Sequence, residues 1–238
     1  CSYYPPGFGT VLSGYQSAKN TLMVGNTDVD GKLNPGSSKG PVKDGRIKPE
    51  ISAMGTFVAS TWPVNIYSYN TGTSMAAPAV TGGLALLYER YRQLHAGANP
   101  KSGLMKALVC NTATERGNEG PDYSYGFGFL NLLRAVQVME SNQYITASLA
   151  PGNTNTFNFS VPANTAQLKV MLYWHDPATN VLASKTLVND LDLEVTTPAS
   201  AVVLPRILDT TAANINNIAG TGTDHINNIE QVTIANPA

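Results

Sequence analysis

Ser74 stands alone between two clusters of small residues in the stretch NTGTSMAAPAVTGG, Asn70 to Gly83, where an apolar helical pattern begins. A helix starting at that serine directs its unpaired backbone N–H groups, and the positive end of its dipole, toward the hydroxyl. Such a place suits acyl transfer, in which a serine oxygen attacks a carbonyl carbon and hydrogen-bond donors hold the oxyanion that forms. Gly72, Ala76 and Ala77 keep bulky side chains away from an approaching substrate backbone. Pro78 removes the N–H that would bond back to the Ser74 carbonyl, which loosens the first turn. A plainer reading of the same residues is that Thr71, Thr73 or Ser74 caps the helix, as Ser and Thr usually do ahead of an apolar run.

The elements that must position this serine follow from the periodicity around it. TLMVGNTD, from Thr21, reads as a short buried strand, and DGKLNPGSSKGPVKDGRIKPE is too dense in turn formers to be anything but a surface loop. After the short ISAMG segment and a turn-rich passage comes a helix from about Ser74 to His95. Its first half, MAAPAVTGGLALL, is apolar on every side, which predicts a central, buried helix. A second helix is expected from Pro100 to Asn111, and a third, after the Gly-rich PDYSYGFGF, ends near Ser141. This is an α/β pattern. Beyond Asn142 the texture changes to short β-branched and aromatic runs (QYITASLA, NTFNFSVP, AQLKVMLYWHD, LVNDLDLEVTT, IEQVTIAN) separated by Pro, Gly and Asn clusters. The pattern predicts two units, residues 1–141 and an all-β module over 142–238.

Composition removes several classes of function. Charged residues make up 13% of the 238 and the net charge is −1, without the basic excess of a nucleic-acid binder. No run of eighteen apolar residues is present, so no membrane span is expected. Cys1 and Cys110 have no neighbours spaced as zinc ligands; Cys110, in the apolar run LMKALVCNTA, reads as a buried thiol, although a single disulfide remains open to a secreted chain.

GTSMAAPAVTGG resembles the serine signature of the subtilisin-like serine proteases, the subtilases. SSKGPVKDGRIKPEISAMG is similar to the loop and strand that precede the active-site serine in that family, with Glu50 where Asp is usual and Met54 where Pro is usual. PDYSYGFGFLNLLRAV looks like the family's closing loop and helix. The likeness runs from about Ser13 to Val138. It implies the C-terminal part of a subtilisin-like parallel-sheet α/β domain, hydrolysis of a polypeptide substrate through an acyl-enzyme on Ser74, and no cofactor for catalysis. Gly72 and Thr73 would line the cleft beside the scissile bond, and Gln16 stands where relatives often have Gly. A secreted or extracytoplasmic location is implied as well.

In the family the triad runs Asp, His, Ser along the chain. The three histidines here, His95, His175 and His225, all follow Ser74. The resemblance therefore implies that the acid, the base and the side-chain oxyanion Asn belong to a missing N-terminal part of the catalytic domain, and that this chain alone is inactive. A rival order, Ser74, then Asp176 or Asp190, then His225, is that of the α/β-hydrolases, but it needs G-x-S-x-G after a buried strand, whereas IYSYNT before Gly72 reads as polar and turn-like. A competing class is a non-catalytic binding or structural protein derived from a subtilase.

LYWHDP and LVNDLDLEV resemble the jelly-roll-like β-sandwich that follows the catalytic domain in calcium-dependent alkaline subtilases. That likeness implies calcium, with Asp176, Asn189, Asp190 and Asp192 as ligands; the same residues also suit turn capping. His95, at the polar end of its helix, and His175, on an alternating strand, read as structural. DHINNIEQVTIANPA looks like the family's penultimate strand, so further strands are expected to complete the sandwich.

Overall fold

The computed structural model describes residue 11, residues 14–180 and residues 183–237. Cys1, the first ten residues, and Ser13, where the family likeness begins, lie outside the described residues.

Strands β1 (Val24–Thr27) and β2 (Ile51–Met54) pair in parallel, Val24 opposite Ile51 and Thr27 opposite Met54. Parallel neighbours need a long crossover, and the Gly/Pro/Ser-rich segment 28–50 supplies it. Its first turn is held by the Asp28 carboxylate, which accepts from the N–H groups of Asp30 and Lys32. Phe129 bridges to Ser52 on the other side of β2. Gly128, at φ +121°, lets the chain pass there, since a Cβ would stand 2.3 Å from the Thr114 carbonyl oxygen.

The passage after β2 is a hairpin of β3 (Val58–Trp62) and β4 (Ile66–Asn70). The reading of IYSYNT as turn-like is thereby corrected: Ile66 pairs across the ribbon with Trp62 and Tyr67 with Thr61, β-branched and aromatic residues that suit a strand, and Tyr69 pairs with Ala59. Trp62, Tyr67 and Tyr69 are exposed on it. Helix α1 (Thr73–Leu94) follows, then α2 (Ser102–Asn111) and α3 (Leu132–Glu140). The helix expected from Pro100 starts two residues later because Lys101, its N-cap, is extended.

Helix α1 is not buried on every side, as its composition predicted. Ala76, Val80, Gly83 and Leu87 form one buried stripe, while Leu86, about a quarter-turn round the helix from it, is 64% exposed. Its apolar residues outnumber the elements that cover it among the described residues. The stripe packs on β1, β2 and α3.

Past residue 142, β5 (Gln167–Tyr173) and β10 (Ile229–Ala235) form an antiparallel ribbon, with the two-residue pairs β6 (Val195–Thr196)/β7 (Val202–Val203) and β8 (Arg206–Ile207)/β9 (Gly220–Thr221) beside it. The described residues form these separate ribbons where a jelly-roll-like sandwich was expected. QYITASLA and NTFNFSVP carry no strand, and Ile145, Leu149, Phe157 and Phe159 are exposed rather than packed between two sheets. Alternation alone does not make a strand without a partner to accept its hydrogen bonds.

One hydrophobic cluster joins the two halves of the sequence. Ile51, Val80, Leu87, Leu104, Val109, Phe127 and Ala135 share it with Ile215 and Ile229, and Tyr144, Met171 and Tyr173 pack against it.

Candidate active site

The start of α1 is set by backbone contacts. Gly55 donates its N–H to the Thr27 carbonyl at the end of β1, and Gly72 donates to the Gly55 carbonyl at 2.9 Å. Gly72 is the N-cap, and no side chain caps the helix. Thr71 is occupied elsewhere, its hydroxyl accepting from the N–H of Phe57. Neither Thr71, Thr73 nor Ser74 therefore serves as the cap. Met75 and Ala76 both donate to the Gly72 carbonyl, which leaves the Ser74 N–H pointing out of the helix without an acceptor among the described residues. The Ser74 side chain is exposed, and its hydroxyl has no hydrogen-bond partner among them.

Ser74 opens onto a groove of about 490 Å³. Thr73 and Ala77 line one side with it, and Tyr15, Gln16, Leu22 and Met23 line the other. The groove thus has a nucleophile and the Ser74 N–H on one wall and a surface that mixes Tyr15, Leu22 and Met23 with the polar Gln16 and Thr21 opposite. Gly72 sits beside it as the cap of the helix.

The wall opposite Ser74 is held from behind by a cluster that sequence reasoning missed. The buried Glu50 carboxylate accepts from both Lys48 and Lys106, the latter at 2.6 Å, and its second oxygen accepts from the Met23 N–H at 2.8 Å. Both ammonium groups also donate to the Thr21 carbonyl. Two buried cations thus share one carboxylate, and burial pushes the Lys48 ammonium down to about 8 despite the attraction of Glu50. Glu in place of the usual Asp gives this carboxylate the reach to touch two lysines and a backbone N–H. The signal available in the sequence was Lys106, a lone charge inside the apolar run LMKALVC.

None of the three histidines reaches Ser74. His95 lies 21 residues on, at the far end of α1, so at about 1.5 Å of rise per residue it is roughly 30 Å away. Its ring nitrogens contact the Tyr91 carbonyl at 2.8 Å and the Tyr144 hydroxyl at 2.9 Å, and it stacks on Tyr91, a structural role. His175 lies between Ser102 and Tyr173. His225 meets Asp190 at 3.1 Å, so the acid–base pair of the rival order does form, but the groove at Ser74 is lined by no histidine.

The proposed calcium ligands fall into two places. Asp176 is buried and meets Asn189, which donates both its backbone N–H, at 2.7 Å, and its side-chain amide, at 3.1 Å. Asp190 instead faces Lys185 and His225. Asp192 lies near Glu230, whose carboxyl is pushed up to about 8 by burial and by the charges of Asp224, Asp192 and Asp190. One oxygen of Glu230 accepts from the Leu193 N–H, and the other is buried without a partner among the described residues. No group of three or more His, Cys, Asp and Glu able to hold a metal ion is found among the described residues. Asp176 does not fit a calcium ligand, because its oxygens are already filled by a lysine and three N–H donors. Cys110 carries a free thiol, its burial pushing it up to about 12. No helix among the described residues is long and apolar enough to cross a membrane.

Residues 9–128 match the sequence profile of the Subtilase family. The chain is 29% identical over 194 residues, 66% of its length, to the serine protease/ABC transporter B family protein tagA of Dictyostelium discoideum, of which this covers 11%. It is 31% identical to bacillopeptidase F of Bacillus subtilis, over 58% of this chain and 9% of that protein. It is 38% identical to subtilisin DY of Bacillus licheniformis, over 37% of this chain and 29% of that one. The chain thus spans well under half the length of each of these relatives. Among solved structures it resembles the CspB protease of Clostridium perfringens, with a TM-score of 0.50 and 27% identity, over 55% of this chain and 30% of that one.

Proposed function

The chain belongs to the subtilase family of peptidases, and on that premise we propose that it forms the nucleophile-bearing C-terminal part of a subtilisin-type serine endopeptidase. One observation carries the reading: the Ser74 hydroxyl is exposed, free of any hydrogen bond among the described residues, and set at the mouth of α1 on the edge of a groove. In this reading a polypeptide lies along the groove between Ser74 and the Tyr15–Met23 wall, with Gly72 and Thr73 beside the scissile bond. Ser74 Oγ attacks the carbonyl carbon, and the Ser74 N–H donates to the oxyanion as the acyl-enzyme forms. The proton leaves to a histidine outside this sequence, oriented by an aspartate, and a side-chain amide supplies a further oxyanion donor. No cofactor takes part in this scheme. Residues 1–141 would belong to the catalytic domain and 142–238 to the β module that follows. A secreted or extracytoplasmic location goes with the reading and rests on the family resemblance alone.

A serine without its base retains almost none of the triad's rate. The test is a fluorophosphonate probe with the labelled residue mapped by mass spectrometry. The chain alone is expected to stay unlabelled, and the chain refolded with an upstream subtilase segment carrying Asp, His and Asn is expected to label at Ser74. Labelling of a different serine in the refolded complex, or none once the complex is shown to form, would overturn the proposal in favour of a non-catalytic binding protein.

A further inference from the structure

Residues 176–177 and 186–189 gather around the side chain of Lys19, which arrives from the other half of the sequence. Its ammonium donates to Asp176 Oδ2 at 2.5 Å, to the Pro177 carbonyl at 2.6 Å and to the Thr186 carbonyl. A primary ammonium has three N–H bonds, and each finds an oxygen. The Asp176 carboxylate is saturated in the same way. Oδ2 also accepts from the Val188 N–H at 2.8 Å, and Oδ1 accepts from the Asn189 N–H and side-chain amide. Four donors thus fill the four acceptor positions of a carboxylate. Both side chains are almost wholly buried, 8% and 0% exposed. Asn20, the next residue, binds the Asp176 backbone, giving its amide N–H to the carbonyl at 2.9 Å and taking the N–H at 3.3 Å.

Carbonyls and a carboxylate converging on one point are what a bound cation requires, yet a calcium ion wants six to eight oxygens. Three oxygens in hydrogen-bond range match an ammonium. We propose that residues 176–177 and 186–189 form a site for a monovalent ammonium cation whose resident is Lys19 itself. The lysine is a tethered ion that organises these residues and fastens them to the strip of chain leading into β1. The site needs no calcium, and a small primary alkylammonium takes the vacated place when the tether is cut. The inference does not depend on the chemistry of Ser74, since the cage contains no groove residue.

The experiment compares the full chain with Lys19→Ala by thermal melting in ethylammonium chloride, tetramethylammonium chloride and calcium chloride at equal ionic strength. Removing one partner of a buried pair is expected to lower Tm on the order of 10 °C. Ethylammonium should restore part of that loss and tetramethylammonium none, because the latter has no N–H to give. The wild type should be indifferent to calcium and to a chelator. Equal Tm values for the two proteins, equal rescue by the two ammonium salts, or stabilisation of the wild type by calcium would each overturn the proposal. Should Lys19→Ala fail to fold, hydrogen exchange on the wild type decides. The Val188 and Asn189 amides should be protected to the same degree with calcium and with chelator; protection that is absent, or that appears only with calcium, overturns it.

Discussion

Gly72 donates its N–H to the carbonyl of Gly55 at 2.9 Å, and this bond fixes the chain two residues before Ser74. The two backbones are so close that a Cβ on Gly55 would stand 2.5 Å from the Gly72 oxygen, 2.7 Å from the Ala76 nitrogen and 2.7 Å from Asn26 Oδ1. Two of these three atoms are backbone, so the helix start itself must move. Gly55→Ala is expected to cost about 1–3 kcal/mol in chemical denaturation and to speed exchange of the Gly72 amide. An unchanged denaturation midpoint would mean that α1 is not held at this point.

The Glu50 cluster makes a second prediction, because its charges do not balance. Glu50→Gln leaves Lys48 and Lys106 buried with no counter-charge, at an expected cost of about 3–5 kcal/mol at neutral pH. Lys48→Met leaves Lys106 and Glu50 as a one-to-one pair and should cost clearly less. Urea denaturation of the two variants side by side checks the order, and a reversed order would contradict the hydrogen bonds to Glu50.

The third concerns pH. The Glu230 carboxyl, ordinarily near 4.5, titrates at about 8 in the folded chain because it is buried beside other carboxylates. Between those values the folded state holds a proton that the unfolded chain has released. The stabilisation from this group is therefore complete below about 4.5 and is lost as pH rises through about 8. Glu230→Gln stays neutral, and its amide oxygen can still accept from Leu193. Its Tm should fall less than that of the wild type between pH 5 and pH 8; parallel declines would count against a protonated Glu230.

Much of this was legible in the sequence, for reasons that differ between elements. Ser74 could be placed at a helix start because small residues, a proline and an apolar run occur together there, and local chemistry dictates local structure. The parallel pairing of β1 and β2 was half visible, as two short apolar runs around a loop too rich in glycine and proline to fold regularly. The one-sided burial of α1 was not visible, since composition reports what a helix could bury and not what is there to cover it. The ribbons after residue 142 misled for the same reason: the alternation in NTFNFSVP describes a strand only when a neighbour completes the ladder. Lys19 and Lys106 escaped because their partners lie far away in sequence, and Glu50 because the burial that brings Lys48 and Lys106 together on it is a tertiary effect. Lys19 and Asp176 are 157 residues apart, and no periodicity encodes such a meeting.

Tyr173, near the end of β5, lies against Gly103 of α2 and under the ammonium of Lys106, and Ile229 and Ile215 enter the same cluster as Val80 and Phe127. The β segment is thus a structural wall of the α/β half and not an appendage on a tether. Such a molecule is expected to melt as one cooperative unit. Splitting it at residue 141 would yield two pieces, each with an open hydrophobic face where the other had been.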